Sequence, residues 1–93
     1  MSTTFVNTRY EIIKETKYLR FIKLERPPSK KTDIILIDSV SGNYTLGRIE
    51  WFGRWRQYCF FPYEETVWNI GCMKEVYEVL EDLKNKRNRN EKL

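Results

Sequence analysis

Residues 51–63, WFGRWRQYCFFPY, concentrate the side chains best suited to holding a ligand. Trp51, Phe52, Trp55, Tyr58, Phe60, Phe61 and Tyr63 are seven of the chain's fourteen aromatic residues (three Trp, six Tyr, five Phe), and Arg54 and Arg56 stand between them. Rings stack on bases and guanidinium groups fork to phosphates, so this is the mixture that a nucleotide or a single strand of nucleic acid requires. Arg48 upstream and Trp68 with Asn69 downstream complete the candidate ligand set: Arg48, Trp51, Arg54, Trp55, Arg56, Tyr58, Trp68 and Asn69. An aromatic hairpin with arginines snorkelling at its edge is also what the core of a small domain looks like, and the pattern by itself leaves both readings open.

Bond-breaking chemistry finds fewer parts. The chain has no His, so Ser-His-Asp and Cys-His machinery and an imidazole acid or base are excluded. Cys59 and Cys72 have no second pair of Cys or His to complete a structural zinc site, and no Gly-rich phosphate loop is present. The expectation is a binding protein and not an enzyme, with no cofactor and no metal. The two thiols read as reduced, small apolar side chains.

Charge narrows the class of partner. Seventeen Lys and Arg against thirteen Asp and Glu give a net charge of +4. Residues 1–63 hold eleven cations against six acids, whereas residues 64–93 hold six against seven, so the basic character lies in the first two thirds. Lys17, Arg20, Lys23, Lys30, Lys31, Arg48, Arg54 and Arg56 are the residues that would form a positive band if the fold brings them to one face. A nucleotide-type small molecule or single-stranded nucleic acid is the expected partner. No apolar run reaches the roughly 18 residues of a membrane span, and the polar N-terminus does not read as a signal peptide, so a cytoplasmic protein without a membrane partner is expected.

The elements that must position these residues follow from period and punctuation. A strand is expected over Lys17–Leu24, ended by Pro27 and Pro28, and a second over Asp33–Ser39, whose four consecutive apolar residues suit cover on both faces. Ser41-Gly42-Asn43 is a turn signal before a third strand over Tyr44–Phe52, and Gly53 begins the reversal into a fourth over Trp55–Pro62. From about Gly71 the period becomes helical, with Met73, Val76, Leu80 and Leu83 as the inward stripe and Asn69 or Cys72 as the cap. The fold class is therefore α+β, a four-stranded antiparallel meander followed by one C-terminal helix packed on one face. Residues 1–16 form a segment without a firm assignment, 17–85 the single domain, and 86–93 a basic flexible tail. Both faces of the second and fourth strands carry large apolar side chains while one helix covers a single face, which predicts a homo-oligomer.

The residues Leu46 to Pro62 spell L-G-x-I-x-W-x-x-x-W-R-x-Y-x-F-x-P, followed by Thr66-Val67 and Asn69-x-Gly71-Cys72 before the helix. This stretch resembles a family of short uncharacterised proteins of phages and bacterial mobile elements. The resemblance implies a setting in which tiny non-enzymatic proteins block host defences, by sequestering a nucleotide signal or by docking on a host defence protein. A second resemblance, of architecture alone, is to the single-stranded-DNA-binding transcriptional coactivators, and it implies a nucleic-acid-binding dimer; the acidic YEETVWNIG connection departs from that family's Gly/Lys-rich one.

Overall fold

The structure, a computed structural model, describes residues 10–26, 29–42 and 44–91. Five strands, β1 (Tyr10–Glu15), β2 (Leu19–Leu24), β3 (Ile34–Ser39), β4 (Thr45–Phe52) and β5 (Gln57–Pro62), precede one helix, α1 (Ile70–Glu91). The strands lie in chain order in one sheet, each pair antiparallel. The class is α+β with a C-terminal helix, but the sheet has five strands where four are expected. The additional strand is β1, which forms the edge beside β2. Its register shifts between Ile12 and Lys14, and that irregularity breaks the two-residue alternation by which a strand is recognised.

Alternation along the other strands sorts the side chains cleanly. Leu19, Phe21, Ile35, Ile37 and Ile49 are buried beneath Val76 and Val79 of α1, and Tyr58, Phe60, Trp68, Cys72, Leu80 and Leu83 pack around them. The intervening residues Ile22, Ile34, Leu36, Arg48, Glu50, Cys59 and Phe61 stand on the opposite face, which no element of the described chain covers. Sheet and helix thus make two layers with one core between them.

Helix α1 starts at Ile70 because the side chain of Asn69 takes the cap: its Oδ1 accepts the backbone N–H of Cys72 at 2.8 Å. That phase turns Cys72, Val76, Val79 and Leu83 inward. Met73, expected in the inward stripe, is 43% exposed, and Ile70 and Tyr77 face solvent with it. The helix continues to Glu91, through most of the stretch read as a tail from residue 86. Arg87 contributes to this extension by lying over the Trp51 ring, 4.1 Å from its centroid. At its other end the helix is tied to the β1 edge: Lys14 Nζ pairs with Glu78 at 2.8 Å, and Thr16 donates to Glu75 at 2.8 Å.

Candidate functional site

The parity of β4 divides the expected ligand set between the two faces of the sheet. Trp51 shares the helix side with Ile49 and is paired with Tyr58 on β5, their rings meeting edge to face at 5.4 Å. Arg48, an odd number of residues from Trp51, stands on the open side. There its Nε donates to Glu50 at 2.7 Å, and its guanidinium lies over Phe61 and Tyr63. The hydrogen bond to Glu50, opposed by desolvation, raises the Arg48 pKa above its ordinary value. This cation is therefore matched within the chain.

Arg54, Trp55 and Arg56 form the exposed β4–β5 turn. Trp55 is 64% exposed and leans edge to face on Phe52, toward the open side. The N–H groups of Trp55 and Arg56 both donate to the Phe52 carbonyl, and Arg56 adopts a left-handed backbone with φ 55°. Trp68 and Asn69 serve the fold: Trp68 packs on Phe60 with ring centroids 4.8 Å apart and donates to Thr66, while Asn69 caps the helix. The structure thus brings together only Trp51, Arg56 and Tyr58 of the expected set.

These three sit in a groove under the second half of α1. A concavity of about 600 Å³ is walled by Trp51, Arg56 and Tyr58 from the hairpin and by Tyr77, Leu80, Glu81, Lys84 and Arg87 from the helix. On the other flank of the helix a second concavity of about 790 Å³ is walled by Lys14, Lys23, Arg26, Lys31 and Asp33 from the sheet side and by Glu78, Asp82, Lys86 and Arg87 from α1. Tyr58, Glu81 and Arg87 line both. The Tyr58 hydroxyl reaches the start of β3, where it accepts the backbone N–H of Asp33 at 3.0 Å.

The walls of the two concavities carry eight cations (Lys14, Lys23, Arg26, Lys31, Arg56, Lys84, Lys86, Arg87) and four acids (Asp33, Glu78, Glu81, Asp82). That excess of four equals the net charge of the whole chain. Several of these charges are already engaged: Lys14 with Glu78, Arg26 with Asp33 at 3.2 Å, and Lys23 with Glu11 at 3.8 Å. Lys31, Arg56, Lys84 and Lys86 have no ion-pair partner among the described residues. Sequence reasoning missed Lys84, Lys86 and Arg87 as groove residues because they fall in a polar stretch where the continuing helix carries no apolar signal.

No family model matches the chain, and no solved structure matches it. A relative does: an uncharacterized 9.3 kDa protein of Acholeplasma phage L2, 32% identical over 75 residues, which are 81% of this chain and 95% of the relative. The chain belongs to that family of small phage proteins. The matched 75 residues are far more than the hairpin stretch alone. No described helix is long and apolar enough to cross a membrane.

Proposed function

We propose that this phage-family protein binds, without transforming, a phosphate-bearing nucleotide-type ligand in the groove around Tyr58. The observation that carries this reading is the placement of four cations without ion-pair partners among the described residues on either side of the Tyr58 ring, Lys31 and Lys86 in the larger concavity and Arg56 and Lys84 beside Trp51 in the smaller. An anion entering there meets cations whose charge is not yet matched, and the aromatic walls supply apolar surface for a base. At about 790 and 600 Å³, each concavity lies within the size class of small-ligand sites, roughly 300–1,000 Å³. The chain has no His, and Cys59 and Cys72 are not among the groove residues, so the cleft offers holding groups and no nucleophile beside a base. In a phage protein, holding such a ligand withdraws a nucleotide signal from the host.

The continuity of the two concavities across Tyr58 supports a second reading, in which a short single strand follows the groove around the helix. Thermal-shift measurements with a cyclic dinucleotide, a nucleoside triphosphate and an oligothymidine distinguish the two. A nucleotide at a hundred times its dissociation constant adds about 2.7 kcal/mol to native stability. Binding of a strand falls steeply with salt and grows with its length, whereas binding of one nucleotide depends weakly on salt and has fixed stoichiometry. If none of these ligands shifts the melting temperature, the proposal fails.

A further inference from the structure

The open face of the sheet differs in kind from the groove. Ile22, Leu24, Ile34, Leu36, Phe52 and Phe61 are half-buried there with no element over them, and cross-strand pairing sets them side by side: Ile22 against Leu36, Leu36 against Arg48, and Arg48 against Phe61. The cations on this face are matched. Arg48 is held by Glu50 at 2.7 Å and Arg20 by Glu15 at 3.3 Å, so the face invites an apolar, electrically neutral cover and has no surplus cation for an anion.

We infer that this face is the interface of a two-fold dimer of the chain, closing sheet on sheet around the Arg48–Glu50 pair. The neighbouring cross-strand rows determine the arrangement. One row runs Ile22, Leu36, Arg48, Phe61, and the next runs Leu24, Ile34, Glu50, Cys59. A two-fold axis lying across the strands between these rows exchanges them. Leu36 of one copy then meets Ile34 of the other, and Arg48 meets Glu50 twice over, once in each direction, as an isologous contact demands. The face is self-complementary in apolar surface and in charge alike. Five strands about 4.8 Å apart and six residues long at roughly 3.3 Å each give a face of about 24 by 20 Å, so a dimer covers on the order of 1,000 Å² in total. That lies at the lower end of specific interfaces, which assigns a dimer of micromolar strength and not a permanent one.

Sedimentation equilibrium of the full chain from low to high micromolar concentration tests this, with Arg48→Glu and Glu50→Arg as the decisive variants. The wild type is expected to pass from monomer to dimer across that range. Each variant alone sets like charges against each other across the axis and is expected to associate roughly a hundredfold less tightly or worse. Mixed in equal amounts, the two carry opposite charges and recover a dimer containing one of each. Leu36→Ser, checked for native fold by circular dichroism, is expected to remain monomeric without any change of charge. A wild type that stays monomeric throughout overturns the inference. So does an Arg48→Glu variant that dimerises as tightly as the wild type, or a mixture that stays monomeric. None of these substitutions touches the groove around Tyr58, so ligand binding there is a separate readout.

Discussion

Arg56 offers a test in which backbone and side chain give opposite answers. Its φ of 55° lies in the left-handed region, where a Cβ crowds the following carbonyl at a cost of about 1–2 kcal/mol. The β4–β5 turn imposes this conformation, because the Arg56 N–H closes on the Phe52 carbonyl at 2.8 Å and Gln57 must pair with Phe52. Glycine would adopt it freely, at the expense of roughly 0.5–1 kcal/mol of added unfolded-state entropy. Arg56→Gly is therefore expected to be net stabilising by about 0.5–1 kcal/mol, which for a domain of this size is a rise of roughly 2–8 °C in Tm. Arg56→Ala removes the same guanidinium and keeps the strain, so it should not gain. Differential scanning calorimetry of the three proteins reads the difference, and nucleotide titration of both variants should show the same loss of affinity. Such a result means that a strained arginine is retained at the turn for its side chain, as expected of a functional position. If Arg56→Gly melts no higher than Arg56→Ala, the strain argument is refuted; if both variants bind as the wild type does, Arg56 plays no part in the groove.

Gly47 is a position where any Cβ meets resistance: one built there lies 2.9 Å from the Phe61 carbonyl oxygen and 3.1 Å from Pro62 Cα, both backbone atoms of the paired strand. Gly47→Ala is expected to destabilise by about 1–3 kcal/mol in urea denaturation through displacement of β5, and an unchanged midpoint would show that the strand yields at no cost. The Lys14–Glu78 pair joins β1 to α1, and its hydrogen bond lowers the Glu78 pKa from the ordinary 4.5. A depressed carboxyl contributes stability that is present above the ordinary value and is lost as pH falls through the folded one. The melting temperatures of wild type and Glu78→Gln should therefore differ at neutral pH and begin to converge only as the pH falls below the ordinary 4.5, whereas a difference that persists in strong acid contradicts this role.

How far the fold can be read from sequence depends on where the period survives. Four strands are legible because alternation and turn residues agree, and the opposition of Ile35 and Ile37 to Ile34 and Leu36 appears in the structure as a buried row against an open one. β1 escapes because the shift at Ile13 places Ile12 on the open face and Lys14 on the helix side, beside the Phe21 ring. The helix departs from the expected stripe at its first turn, where Cys72, a small side chain, faces inward although Met73 has the stronger apolar signal. At the site, parity alone separates Arg48 from Trp51, and that much is legible. The approach of Lys31 to Lys86 across the helix flank is not, since it depends on how α1 crosses the sheet, a relation that no local pattern encodes.

The most direct test of a ligand groove around Tyr58 is residue-resolved. A proton–nitrogen NMR titration of the chain with a cyclic dinucleotide, repeated on the Lys31→Ala/Lys86→Ala variant, locates binding and the charge that supports it together. Saturable shifts are expected at the Trp51 indole and at the amides of Lys31, Arg56, Tyr58, Lys84 and Lys86, with Leu36 and Phe61 on the open face unmoved, and the double variant should bind at least about tenfold more weakly, since hydrogen bonds to charged groups contribute roughly 1.5–3 kcal/mol each. Shifts confined to the open face, or equal affinity in the double variant, would contradict the assignment.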